Sequence, residues 1–127
     1  MQLSFDAPAG GDFVRSVGPD QILLASGPRH ASFVMAAGVP VFDWSVTDVA
    51  AITTDDCAAL IALQPAVLLL GTGPSQKFPA REIFAAFLTR GIGLEVMDNA
   101  AAARTYNVLL GEGRKVAAAF VLPPPAT

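Results

Sequence analysis

Two glycines flanking a threonine, Gly71-Thr72-Gly73, follow the unbroken apolar run Val67-Leu68-Leu69-Leu70, and an acid, Asp98, stands about 25 residues further on. Glycine lets a backbone come close to a pyrophosphate, and an acid at the end of the next strand can hold a ribose, so the spacing invites a dinucleotide reading. The third glycine of that fingerprint is missing. Pro74-Ser75-Gln76-Lys77-Phe78 also separates the turn from the next helix, and no glycine precedes Lys77 as a phosphate-binding P-loop requires. The plainer reading is a tight turn that glycine permits. Lys77, Arg81 and Arg104 fall near two helix starts, where free N–H groups and positive potential suit a small anion or an acidic partner side chain. The alternative for these bases is solvated surface charge, with Arg104 paired to Asp98. Tyr106 and Asn107 either pack structurally or line the same crevice.

Other reactive side chains make weaker sets. Cys57 shares a helical face with Leu60 and Ile61, which favours core packing, although a first-turn position can lower a thiol pKa. His30 sits in the turn Ser26-Gly27-Pro28-Arg29-His30 and is expected to be exposed, so a nucleophilic Cys57–His30 pair has no support from spacing. Asp55 and Asp56 are accounted for by helix capping. One cysteine excludes an internal disulfide, one histidine leaves no dense metal-binding cluster, and no cofactor or metal is expected.

The elements that must position these residues follow from apolar pattern and punctuation. The 127-residue chain is 53% hydrophobic and 15% charged, a balance that fits a folded domain with its own core. Residues 1–127 are expected to form one domain, β-rich over 1–45, helix and strand over 54–122, with a Pro-rich tail at 123–127. Phe13–Val17, Gln21–Ala25, Ala31–Met35 and Val41–Trp44 read as an antiparallel meander turning at Gly18-Pro19-Asp20 and at 26–30. Pro40 suits an edge or a strand start. Thr54-Asp55-Asp56 opens a short helix that Pro65 ends. Then come the strand at Val67, a helix over Pro79–Arg90 with an apolar stripe of Ile83, Phe84, Phe87 and Leu88, and a strand over Ile92–Met97. A helix opening at Asp98-Asn99 and a buried strand over Val116–Leu122 complete the series. Strand–helix alternation predicts an α/β fold whose crevice lies beyond the strands' carboxyl ends.

Net charge is −3, with seven acids against two bases in residues 1–64 and four against six in residues 65–127. This argues against nucleic-acid binding and leaves room for a local anion site in the second half. The longest apolar runs fall well short of the ~20 residues of a spanning helix, so membrane insertion is not expected. The opening residues, Met1-Gln2-Leu3-Ser4-Phe5-Asp6, lack a basic start and an apolar stretch, so a cytoplasmic setting is the expectation. Few charges to cover the surface suggest a partner protein or a second copy.

Gly71-Thr72-Gly73, Phe78-Pro79, Gly91-Ile92-Gly93-Leu94-Glu95-Val96-Met97-Asp98, Arg104-Thr105-Tyr106-Asn107 and Glu112-Gly113-Arg114 occur in this order. The pattern resembles a family of uncharacterised proteins whose human member is the mitochondrial complex I assembly factor three. The match spans about residues 67–122. The resemblance implies a three-layer α/β fold around a mixed sheet, no established enzymatic activity or cofactor, and a protein–protein role in assembly. Two functions therefore stand side by side. One is a non-enzymatic interaction or assembly-factor-like domain. The other is a binder of, or enzyme on, a small anionic ligand. Both would use a rim formed by Gly71, Thr72, Gly73, Lys77, Arg81, Asp98, Arg104, Tyr106 and Asn107.

Overall fold

The computed structural model describes residues 11–124, so the expectations for Met1–Asp6 and for the last residues of the tail lie outside it. Three short strands, β1 (Val14–Val17), β2 (Ile22–Leu24) and β3 (Gly27–Arg29), make an antiparallel sheet in that order. Five more, β4 (Phe33–Ala36), β5 (Val39–Asp43), β6 (Val67–Gly71), β7 (Gly93–Met97) and β8 (Val116–Phe120), form the main sheet in the order β5-β4-β8-β6-β7. In it β6 runs parallel to β7 and β8, while β8 is antiparallel to β4 and β4 to β5. The helices are α1 (Ala58–Ala62), α2 (Arg81–Leu88) and α3 (Asn99–Gly111). The sheet is therefore mixed, and Pro40 lies in β5, at an edge where a missing N–H costs no ladder bond.

The meander read from the first 45 residues is split between the two sheets. The turn expected at 26–30 is also displaced, because Gly27–Arg29 pairs with β2 as a strand. The bend comes earlier, at Ala25-Ser26, where the Asp12 carboxylate accepts both the N–H and the hydroxyl of Ser26. Pro28 tolerates its place because β3 is the outer strand.

Alternate side chains of the central strands enter opposite cores. Val67 and Leu69 of β6, Val116, Ala118 and Phe120 of β8, and Phe33 and Met35 of β4 pack with Val14, Ile22 and Leu24 of the small sheet and Ala102, Ala103, Tyr106 and Leu110 of α3. Phe33 and Phe120 stack with ring centroids 5.1 Å apart. Leu68, Leu70, Val34, Ala117 and Ala119 enter the other core, with Trp44, Cys57, Leu60, Ile83 and Phe87. The result is three layers: the small sheet with α3, the main sheet, and α1 with α2.

Two helix expectations shift. The short helix is capped by Thr53, not Thr54: Asp56 N–H donates to Thr53 Oγ1 (3.3 Å) while Thr53 N–H donates to Asp56 Oδ2 (2.8 Å), a reciprocal capping box. In α2, Ile83 and Phe87 are buried, Phe84 is half-buried and Leu88 is 77% exposed. The helix lies against β7, the last strand of the sheet, so there is too little sheet beneath it to cover the whole predicted stripe.

Candidate functional site

Because β6 and β7 are parallel with Gly71 level with Met97, their carboxyl ends open side by side on one rim. Thr72 N–H donates to Met97 O (3.0 Å) just past the ladder. The Thr72 hydroxyl then organises the loop that follows. It donates to Ser75 O (2.7 Å), lies 3.3 Å from Met97 O and accepts from Lys77 N–H (3.1 Å). Gly73 adopts φ +103°, a left-handed conformation that favours glycine.

The rim is closed by Asn99, the first residue of α3 and almost fully buried. Its Oδ1 accepts Gly73 N–H (3.1 Å), its Nδ2 donates to Val121 O (3.1 Å), and its own N–H donates to Gly73 O (2.8 Å). One side chain thus ties the end of β6, the end of β8 and the start of α3. Gly71 is needed for a different reason from Gly73. A Cβ there would fall inside contact distance of Asn99 Oδ1 and 2.9 Å from Phe120 Cδ1. Asp98 is the N-cap of α3, its carboxylate accepting Ala101 N–H (2.8 Å).

Beside this latch lies an open cleft of about 250 Å³. Its walls are the β1–β2 turn (Val17, Gly18, Pro19), Gly73-Pro74, and Asp98-Asn99-Ala100. Of the nine residues singled out in the sequence, Gly73 and Asp98 line it. Lys77 and Arg81 are exposed on the α2 side of the sheet, and Arg104 is exposed on α3; none of the three bases lines the cleft. The N–H groups of Gly73 and Asn99 are consumed internally, and the one ionisable residue among the walls is an acid, Asp98. This chemistry does not favour an anion.

Tyr106 and Asn107 lie in the core. Asn107 Oδ1 accepts Val14 N–H (3.1 Å) and its Nδ2 donates to Val14 O (2.9 Å), so the amide acts as an extra strand that clamps β1 onto α3. Arg104 and Asn107 are three residues apart, yet the boundary between the exposed and buried faces of α3 passes between them. Burial, reinforced by Asp12, pushes the Tyr106 phenol well above its ordinary range.

Cys57 is buried with its thiol 3.4 Å from Thr53 O. Desolvation, with the Asp56 charge adding to it, raises its pKa from 9.0 to about 11. His30 is exposed after β3. A protonated, buried thiol is a poor nucleophile, so Cys57 is expected to resist a disulfide reagent at neutral pH. The linkage sign is fixed by the upward shifts. Stability from neutral Cys57 and Tyr106 is complete below about pH 9 and falls as pH rises through 11. Urea midpoints measured from pH 7 to 11 check this; a flat profile would contradict it.

From the sequence Asn99 is expected at the opening of α3, and not as the latch of the rim. The available signal was the tandem Asp98-Asn99, two capping-type residues where a helix start uses one.

Comparison with known proteins extends the likeness beyond the rim. Over 89 residues the chain is 34% identical to NADH dehydrogenase (ubiquinone) 1 alpha subcomplex assembly factor 3 of Homo sapiens, covering 68% of this chain and 48% of that one. The chain therefore spans about half the length of that relative. The solution structure of a Xanthomonas campestris protein superposes with TM-score 0.84 at 40% identity, covering 100% of this chain and 96% of its own. A crystal structure of a Bordetella parapertussis protein gives TM-score 0.83 at 37% identity, covering 92% of this chain and 100% of that one. A family profile described as protein of unknown function (DUF498/DUF598) matches residues 14–121, which takes in both sheets, all three helices and the Asn99 latch, and the chain belongs to that family.

Proposed function

We propose that this chain is a non-enzymatic protein-binding module that assists assembly of a larger complex, in a cytoplasmic setting. The observation that carries the reading is the 34% identity to an assembly factor over 89 residues. Two structural features agree with it. The rim where an α/β protein usually binds its ligand is spent on internal hydrogen bonds, through Thr72, Gly73, Asn99 and Val121. Large apolar side chains are instead exposed elsewhere: Phe78 at 63%, Leu88 at 77% and Val108 at 55%.

Affinity capture of the tagged full-length protein from its own cell, with reversible crosslinking, tests the reading. A reproducible, saturable protein partner is the expected result. No specific partner, or melting shifts across a panel of nucleotides and phosphorylated metabolites, would replace it with a small-molecule function.

A further inference from the structure

We propose that the outer edge of β7 is a docking strip for an extended segment of another protein, which joins the main sheet as an added strand. This rests on the protein-binding reading and names the surface it uses. In the order β5-β4-β8-β6-β7, β7 is terminal. Gly93 N–H donates to Ala66 O and Met97 O accepts Thr72 N–H, so Gly93, Glu95 and Met97 turn their backbone groups toward β6. Leu94 and Val96 therefore turn theirs outward. Val96 O is covered by Gln76 Nε2 at 2.9 Å. The N–H and C=O of Leu94 and the N–H of Val96 have no partner among the described residues. An unpaired strand edge is a template for another strand.

An apolar shelf overhangs this edge. The parallel unit β6-α2-β7 is right-handed by the general rule for such crossovers, and α2 returns antiparallel to its strands. With Ile83 and Phe87 facing the sheet, each following residue is rotated by about 100°, which turns Phe84 and Leu88 past β7 and away from β6. The Gln76–Val96 bond holds the loop carrying exposed Phe78 at the same margin. Leu94 and Val96 place their side chains on this face, partly buried in the α2-side core.

Charge decides the occupant. Glu95 is exposed on the opposite face, in the middle of β7. If two copies paired through β7 in the antiparallel register that uses both outward residues, Glu95 would stand across from its own counterpart, and like charges so placed are destabilising. The strip suits a foreign strand with Lys or Arg opposite Glu95 and aliphatic side chains under the shelf.

The test uses ¹⁵N spectra of the full chain titrated with the capped peptide Val-Thr-Val-Lys-Val-Thr-Val. Expected are shifts confined to Phe78, Phe84, Leu88, Leu94, Glu95 and Val96, with the Glu-centred peptide about tenfold weaker. Val96→Pro removes an N–H that makes no internal bond, so the fold is kept while binding is lost; Leu88→Glu, on the shelf, weakens binding without touching the backbone. No shifts at millimolar peptide, shifts elsewhere, or equal binding by both variants would overturn the proposal. So would a dimer in sedimentation that Val96→Pro dissociates. If a cellular partner is retained fully by both variants, the strip fails while the protein-binding function stands; if wild type captures no partner but the peptide behaves as expected, the strip stands alone.

Discussion

Asn99→Ala is expected to destabilise the fold by about 3 kcal/mol, because it leaves two buried backbone groups without partners. The Asn99 amide satisfies Gly73 N–H and Val121 O, groups 48 residues apart that lie just past the ends of the paired strands β6 and β8. Each such group left unpaired out of water costs roughly 1–3 kcal/mol, and the truncated side chain leaves a void between β6 and α3. The neighbouring Asp98→Ala separates this from ordinary capping. It removes one cap bond on a partly exposed residue and should cost only about 1 kcal/mol. Asn99→Asp sharpens the test through pH. A carboxylate still accepts Gly73 N–H but places a second acceptor against Val121 O, so its folded pKa is raised. Stability is then greatest at low pH, where the protonated acid can donate, and falls as pH rises. Urea unfolding of the three variants at pH 5 and pH 7 checks both statements. An Asn99→Ala cost no larger than that of Asp98→Ala would reduce the latch to a cap.

The second half of the fold was legible in the sequence and the first half much less so, for a physical reason. Val67–Leu70 is apolar on both faces and bracketed by Pro65 and Gly71, and Asp98 marks a helix start, so these elements are announced locally. The expected mixed sheet came from the family resemblance; the pairing of β8 with β4, which makes it mixed, joins Phe33 to Phe120 and leaves no local mark. The displaced turn at Ala25-Ser26 depends on Asp12, more than ten residues away, and has neither Gly nor Pro to announce it. Asn107 looked like a rim residue because its partner, the backbone of Val14, is 93 positions distant. Leu88 fits the apolar stripe by spacing, yet spacing cannot say where the sheet beneath a helix ends. At the rim, the side-by-side opening of Gly71 and Met97 followed from strand alternation, whereas the cleft's third wall, Val17-Gly18-Pro19, comes from the small sheet and was not foreseen.

Gly71→Ala is expected to cost about 3 kcal/mol for a reason that separates it from every other glycine near the rim. Gly71 does not have a positive φ, so alanine meets no backbone strain there. Its cost is purely spatial, since the added methyl must displace the Asn99 amide and press on the Phe120 ring. Gly73 is the opposite case: nothing lies within 4 Å of a Cβ, but φ +103° is strained for any L side chain. Gly73→Ala should therefore cost about 1–2 kcal/mol through the backbone alone. The distinction shows in a double-mutant cycle. Removing the Asn99 amide opens the space that the Gly71→Ala methyl needs, so Gly71→Ala with Asn99→Ala should be at least about 1 kcal/mol less destabilised than the two single effects added together. Gly73→Ala with Asn99→Ala gains no such relief, because emptying the amide's place leaves the strained torsion unchanged. Equal additivity in both cycles, or a Gly71→Ala variant as stable as wild type, would mean that β6 and α3 can separate without loss. The rim would then be a pliable seam, and Asn99 could not be what sets the spacing of strand and helix.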